Sequence, residues 1–90
     1  MGIIRKHYYI GGSVQGVGFR YRAYHTAQML HLTGYAKNLY DGRVELELQG
    51  EREAIEQFLG LVEQGTFIHI DEIESENMEV IEDERSFRTY

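Results

Sequence analysis

The stretch Lys6–Leu30, KHYYIGGSVQGVGFRYRAYHTAQML, changes its hydrophobic period half-way along, and that change decides the fold. Its first part, Lys6 to Val14, is rich in aromatic and β-branched residues (Tyr8, Tyr9, Ile10, Val14) and reads as a strand interrupted by Gly11 and Gly12. Its second part is helical. Phe19, Ala23, Ala27 and Leu30 recur at helical spacing and share one face. Gly34 stands where a left-handed residue would close that helix. Between strand and helix lies the loop Gln15-Gly16-Val17-Gly18-Phe19-Arg20.

Downstream, Tyr35 to Tyr40 and Arg43 to Gln49 flank Asp41-Gly42, a strong hairpin signal. The second arm alternates, with Val44, Leu46 and Leu48 on one face and Glu45 and Glu47 on the other, as in a half-buried strand. Glu51 to Gln64 forms a second amphipathic helix through Ile55, Phe58, Leu59 and Val62, with Gly65 as its expected closing residue. Ile68, Ile70 and Ile73 suggest a further strand, as do Met78 and Val80, and Phe87 to Tyr90 a last short one. The order is the ferredoxin-like βαββαβ plan, an α+β sandwich. Two helices are expected on one face of an antiparallel sheet, with an extra short C-terminal strand.

With 90 residues the chain is expected to be a single domain over 1–90. It has no cysteine, which excludes disulfides, thiolate metal sites and cysteine nucleophiles. No apolar run approaches the roughly 20 residues that span a bilayer. The N-terminus lacks the apolar core of a signal peptide, and Lys6 breaks the myristoylation pattern. A cytoplasmic protein without membrane attachment is expected. The net charge of −6 argues against nucleic acid, which is bound through clustered cations. Nothing in the sequence demands association, so a monomer is expected.

The Gln15–Arg20 loop joins a strand to a helix N-terminus. There the first N–H groups lack intrahelical acceptors and carry the positive end of the helix dipole. Gly16 and Gly18 let the chain curl and bring several N–H groups onto one anion. Arg20 adds a planar cation that can bond two phosphate oxygens. A tight turn without a ligand is the competing reading. Two better-known phosphate loops do not fit. The chain has no Gly-Lys for a P-loop, and Tyr21 stands where a dinucleotide fingerprint needs glycine.

Asn38 is a polar residue within the first hairpin arm, on the face shared by Ala36 and Tyr40. Its strand follows a crossover helix and should run in the direction of the first strand. Its later half therefore returns to the end of the sheet where the loop emerges. An asparagine that merely satisfies backbone groups at a sheet end fits the spacing equally well.

Gly12-Ser13-Val14-Gln15-Gly16-Val17-Gly18-Phe19-Arg20 resembles the first acylphosphatase signature. Gly34-Tyr35-Ala36-Lys37-Asn38, followed by Asp41-Gly42-Arg43-Val44-Glu45 and Gly50, resembles the second. The resemblance covers nearly the whole chain and weakens after Gln64. It implies metal-independent hydrolysis of the carboxyl–phosphate bond of small acyl phosphates, with no cofactor and no covalent protein intermediate. It also implies that the amides of Gln15, Gly16, Val17, Gly18, Phe19 and Arg20, with the Arg20 side chain, bind the phosphoryl group. Asn38 would position the attacking water, and inorganic phosphate would be product and competitive ligand. The chain departs from the family in having Gly65-Thr66 rather than Gly-Pro after its second helix, and in its dense acidic stretch from Asp71 to Glu84.

The remaining residues read as structural. The four histidines, His7, His25, His31 and His69, form no i, i+4 pair, and metal binding is not expected. The carboxylates from Asp71 to Glu84 read as a solvated face and loop, and Asp41 as turn chemistry. The seven tyrosines read as sheet and core residues. Two other functions compete with hydrolysis. One is a non-catalytic module of the same family that binds phosphate, carbamoyl phosphate or a protein. The other is an RNA-binding domain, disfavoured by charge and by the lack of the aromatic RNA-binding pattern.

Overall fold

The computed structural model describes residues 2–90. In chain order the elements are β1 (Ile3–Ser13), α1 (Phe19–Leu30), β2 (Thr33–Asn38), β3 (Val44–Glu51), α2 (Arg52–Val62), β4 (His69–Met78) and β5 (Phe87–Thr89). The strands form one sheet in the order β4-β1-β3-β2-β5.

The expected βαββαβ plan with an added C-terminal strand is present. The sheet, however, is mixed rather than antiparallel, because β5 lies parallel to β2. The reason is the path of the chain. β4 is antiparallel to β1 at one edge. The segment after β4 crosses to the opposite edge and reverses once, which turns β5 into the direction of β2.

One continuous core lies between the helices and the sheet. Tyr8 and Ile10 of β1, Val44, Leu46 and Leu48 of β3, and Ala36 of β2 meet Phe19, Ala23 and Ala27 of α1 and Ile55, Phe58 and Val62 of α2. Full burial of side chains of this size stabilises by about 1.5–3 kcal/mol each. Leu30 and Leu59 are partly buried against the same core.

Several local expectations are corrected. β1 extends from Ile3 to Ser13, and its glycines do not interrupt it: a register shift between Gly11 and Gly12 keeps β4 paired across them. α1 is closed by His31, left-handed at φ 59°, and not by Gly34. Gly34 lies inside β2, buried and paired with Leu48. α2 runs from Arg52 to Val62 and ends through Glu63 in an ordinary right-handed conformation, so Gly65 is not its left-handed cap. Gly65 instead gives room to Arg22, whose Nε and Nη2 donate to the last carbonyls of α2, at Val62 (3.2 Å) and Leu61 (2.8 Å).

β3 is not half-buried. Glu47 and Gln49 on its outer face are 8 % exposed. Arg5 of β1 covers them, donating to Glu47 (2.6 Å) and Gln49 (3.1 Å). Glu84, expected in a solvated loop, accepts from Arg5 (2.7 Å) and from Thr33 Oγ1 (2.7 Å). The other acidic residues from Asp71 to Asp83 are exposed, as expected. Of the tyrosines, Tyr8 is a core residue, whereas Tyr21, Tyr24, Tyr40 and Tyr90 are exposed.

Candidate active site

The Gln15–Arg20 loop is pinned at both ends by the core. Val14 and Phe19 are each 1 % exposed, and Val17 packs partly against the same cluster. With its apolar side chains held inward, the loop turns through Gly16 (φ 73°) and Gly18 (φ 86°). An L-residue rarely adopts either angle. Gly18 is also the N-cap of α1. It offers no side-chain acceptor, and the first turn holds no acidic residue. The leading N–H groups of α1 are therefore not neutralised by a local carboxylate, which favours an anion at this end.

Arg20 is exposed and donates from Nη1 to the Tyr90 main-chain oxygen at 2.8 Å. That same oxygen accepts the Asn38 N–H at 3.4 Å, while the Tyr90 N–H donates to Ala36 at 2.9 Å. The residue after β5 thus brings the Arg20 guanidinium and the Asn38 main chain to a single point. The sequence had suggested this convergence only from strand direction. β1 and β2 both run antiparallel to β3, so they share a direction with β3 between them.

Asn38 ends β2 and shares the helix-covered face with Ala36. Tyr40, expected on that face, lies beyond the strand in the turn and is fully exposed. Asn38 Oδ1 is buried. Among the described residues it is the one buried side-chain polar atom without a hydrogen-bond partner. No backbone donor among the described residues pairs with this oxygen. A carbonyl oxygen with open acceptor capacity is suited to orient a donor such as water.

The side chain of Gln15 takes a course the sequence did not reveal. Its Nε2 donates to Leu39 O (2.7 Å) and Arg43 O (2.9 Å), on the turn that follows Asn38. That turn is braced from within. Leu39 N–H donates to Arg43 O (2.8 Å), and Asp41 accepts from the Arg43 N–H (3.1 Å) and Nε (2.8 Å). These bonds, the main-chain one foremost, hold the Asp41 carboxyl below its usual range. Asp41 is turn chemistry, as expected. Among the described residues, no group of three or more His, Asp or Glu is arranged to hold a metal ion. No helix among them is long and apolar enough to cross a membrane.

The sequence missed Tyr90 and the course of the Gln15 side chain. Tyr90 acts through its main chain, which no residue-type pattern reports. The contacts of the Gln15 side chain lie 24 and 28 residues away.

Comparison with known proteins points one way. The acylphosphatase family model matches residues 6–89. An acylphosphatase of Geobacillus thermodenitrificans is 45 % identical over 85 residues, covering 93 % of this chain and 90 % of that protein. One from Clostridium perfringens (strain SM101) is 40 % identical over 89 residues, covering 98 % and 100 %. The crystal structure of acylphosphatase from Bacillus subtilis superposes with a TM-score of 0.88 at 32 % identity, covering 97 % of this chain and 98 % of that one. Both signatures lie in this matched region, and the fold and the convergence of Arg20 with Asn38 agree with it: the chain belongs to the acylphosphatase family.

Proposed function

We propose that this chain hydrolyses the carboxyl–phosphate bond of small acyl phosphates, with the Gln15–Arg20 loop and Arg20 binding the phosphoryl group and Asn38 orienting water. The observation that carries the reading is the meeting of the Arg20 guanidinium and the Asn38 main-chain N–H at the Tyr90 oxygen, with Arg20 in the first turn of a helix that has no side-chain N-cap. The water oxygen attacks phosphorus and passes a proton to a phosphoryl oxygen, the bond from phosphorus to the acyl oxygen breaks, and the carboxylate leaves with the electron pair. A carboxylate is a good leaving group, since carboxylic acids ionise near about 4. The chain need supply no strong acid. Charge spreading over the phosphoryl oxygens is met by loop amides and the guanidinium, and the water is held in line.

The test is hydrolysis of benzoyl phosphate by the purified protein in excess chelator. Turnover inhibited by inorganic phosphate is expected. Arg20→Ala is expected to lose about 10²–10³ in rate, together with phosphate inhibition. Near-normal turnover in Arg20→Ala would remove Arg20 from the mechanism. No turnover by the folded wild-type protein, with phosphate still bound, would make it a binding module.

A further inference from the structure

Gln15 belongs to the phosphoryl loop by position, yet its side chain faces the hairpin turn. Leu39 O and Arg43 O can only accept, so the amide nitrogen must be the atom facing them, and both its hydrogens are engaged. The two carbonyls already hold the turn together, Leu39 O accepting from Gly42 N (3.2 Å) and Arg43 O from Leu39 N (2.8 Å). Gln15 thus grips both ends of a closed ring of backbone. Each end of the grip is fixed. Val14, immediately before Gln15, is buried in the core. Arg43 lies 4.7 Å over the Tyr9 ring and is paired with Asp41. Asn38 directly precedes Leu39, so the grip on Leu39 adds to the β3 pairing and the Tyr90 bond that hold the Asn38 main chain.

We propose that Gln15 is a positioning residue for the reaction: its side-chain amide fixes the 39–43 turn, and through it Asn38, at a set distance from the phosphoryl loop. The proposal rests on the reading of Asn38 as the group that orients water. It divides the loop's labour, with main-chain amides and Arg20 gripping the phosphoryl group and the Gln15 side chain setting the approach of water. A displacement of about 1 Å in such an arrangement is enough to cost about 10²-fold in rate.

The test compares Gln15→Met, of similar length but without donors, with Asn38→Ala and the double variant, on benzoyl phosphate. Gln15→Met is expected to lower kcat about 10–100-fold and to leave the inhibition constant of inorganic phosphate within about twofold. In the Asn38→Ala background it is expected to add little, because its effect passes through Asn38. Gln15→Asn keeps the amide but shortens its reach, gives the same pattern, and serves if the methionine variant does not fold. A wild-type kcat in either variant overturns the proposal. So does a loss of phosphate affinity equal to the loss of kcat, or a loss that adds in full to that of Asn38→Ala. Wild-type turnover in Asn38→Ala itself overturns the role of Asn38 and this proposal with it, while the assignment of Arg20 stands or falls separately.

Discussion

Glu45 shows how single side chains on the outer face of the sheet are tied together. Its carboxylate accepts from Tyr35 Oη (3.0 Å) and lies 2.8 Å from His7 Nε2. Burial alone would raise the Glu45 pKa, but the bonds from His7 and Tyr35 and the charges of His7 and Lys37 outweigh it, and the net shift is downward. Burial, aided by the two carboxylates nearby, pushes the Tyr35 hydroxyl far up, so it stays a donor. The folded pKa of Glu45 lies below its unfolded value. The unfolded state therefore takes up the proton first as pH falls, and stability drops from the ordinary glutamate range, near about 4.3, down through the folded pKa. Glu45→Gln is expected to flatten the pH dependence of urea stability in that window. An unchanged slope would show that Glu45 does not contribute. The residue scale was also where the sequence said least about the site. Arg20 and Asn38 stood out as candidates, but no periodicity reports that the Gln15 amide turns toward Leu39 and Arg43.

Glycines separate the elements that were legible from the ends that were not. The helical faces of Phe19, Ala23 and Ala27 and of Ile55, Phe58 and Val62 were plain, because burial repeats with the helix period. Gly34 was misread because a glycine just past a helix looks like a cap, whereas its real constraint comes from a neighbouring strand. At φ 134°, a Cβ there would run into the main chain of β3 at Glu47. Gly60 is the opposite case: it lies in α2 with open space where a Cβ would be. Gly34→Ala is expected to destabilise by about 2–4 kcal/mol, since backbone must move. Gly60→Ala is expected to stabilise by up to about 1 kcal/mol, through helix propensity and a less free unfolded chain. Urea midpoints of the two variants should shift in opposite directions; a shift of the same sign would refute this account of the two positions.

Across the whole molecule, the segment after β4 acts as a strap. It crosses the open face of the sheet, where Gln49 bonds both main-chain groups of Ile81 (2.8 and 3.0 Å) and Glu84 meets Arg5 and Thr33. Arg5 is 3 % exposed. Desolvation disfavours its charge, but bonds and attraction from Glu84 and Glu47 more than compensate, so its pKa is raised. A pair separated by 79 residues leaves no local trace in sequence, which is why Glu84 read only as part of a solvated acidic stretch. The strap ends in β5 and Tyr90, so the same crossing delivers the oxygen that holds Arg20 and Asn38. At the other edge, β4 has no strand partner along one side among the described residues, although its Ile70 N–H donates to Glu63 (2.9 Å), and it bears Asp71, Glu72, Glu74 and Glu76. An edge of that length is a template for a second copy, and its carboxylates are what repel one. The colloidal stability of this protein should therefore be electrostatic in origin. Glu72→Gln, Glu74→Gln and Glu76→Gln together should lower the salt concentration at which light scattering appears at neutral pH. An unchanged threshold would mean that solubility is set elsewhere on the surface.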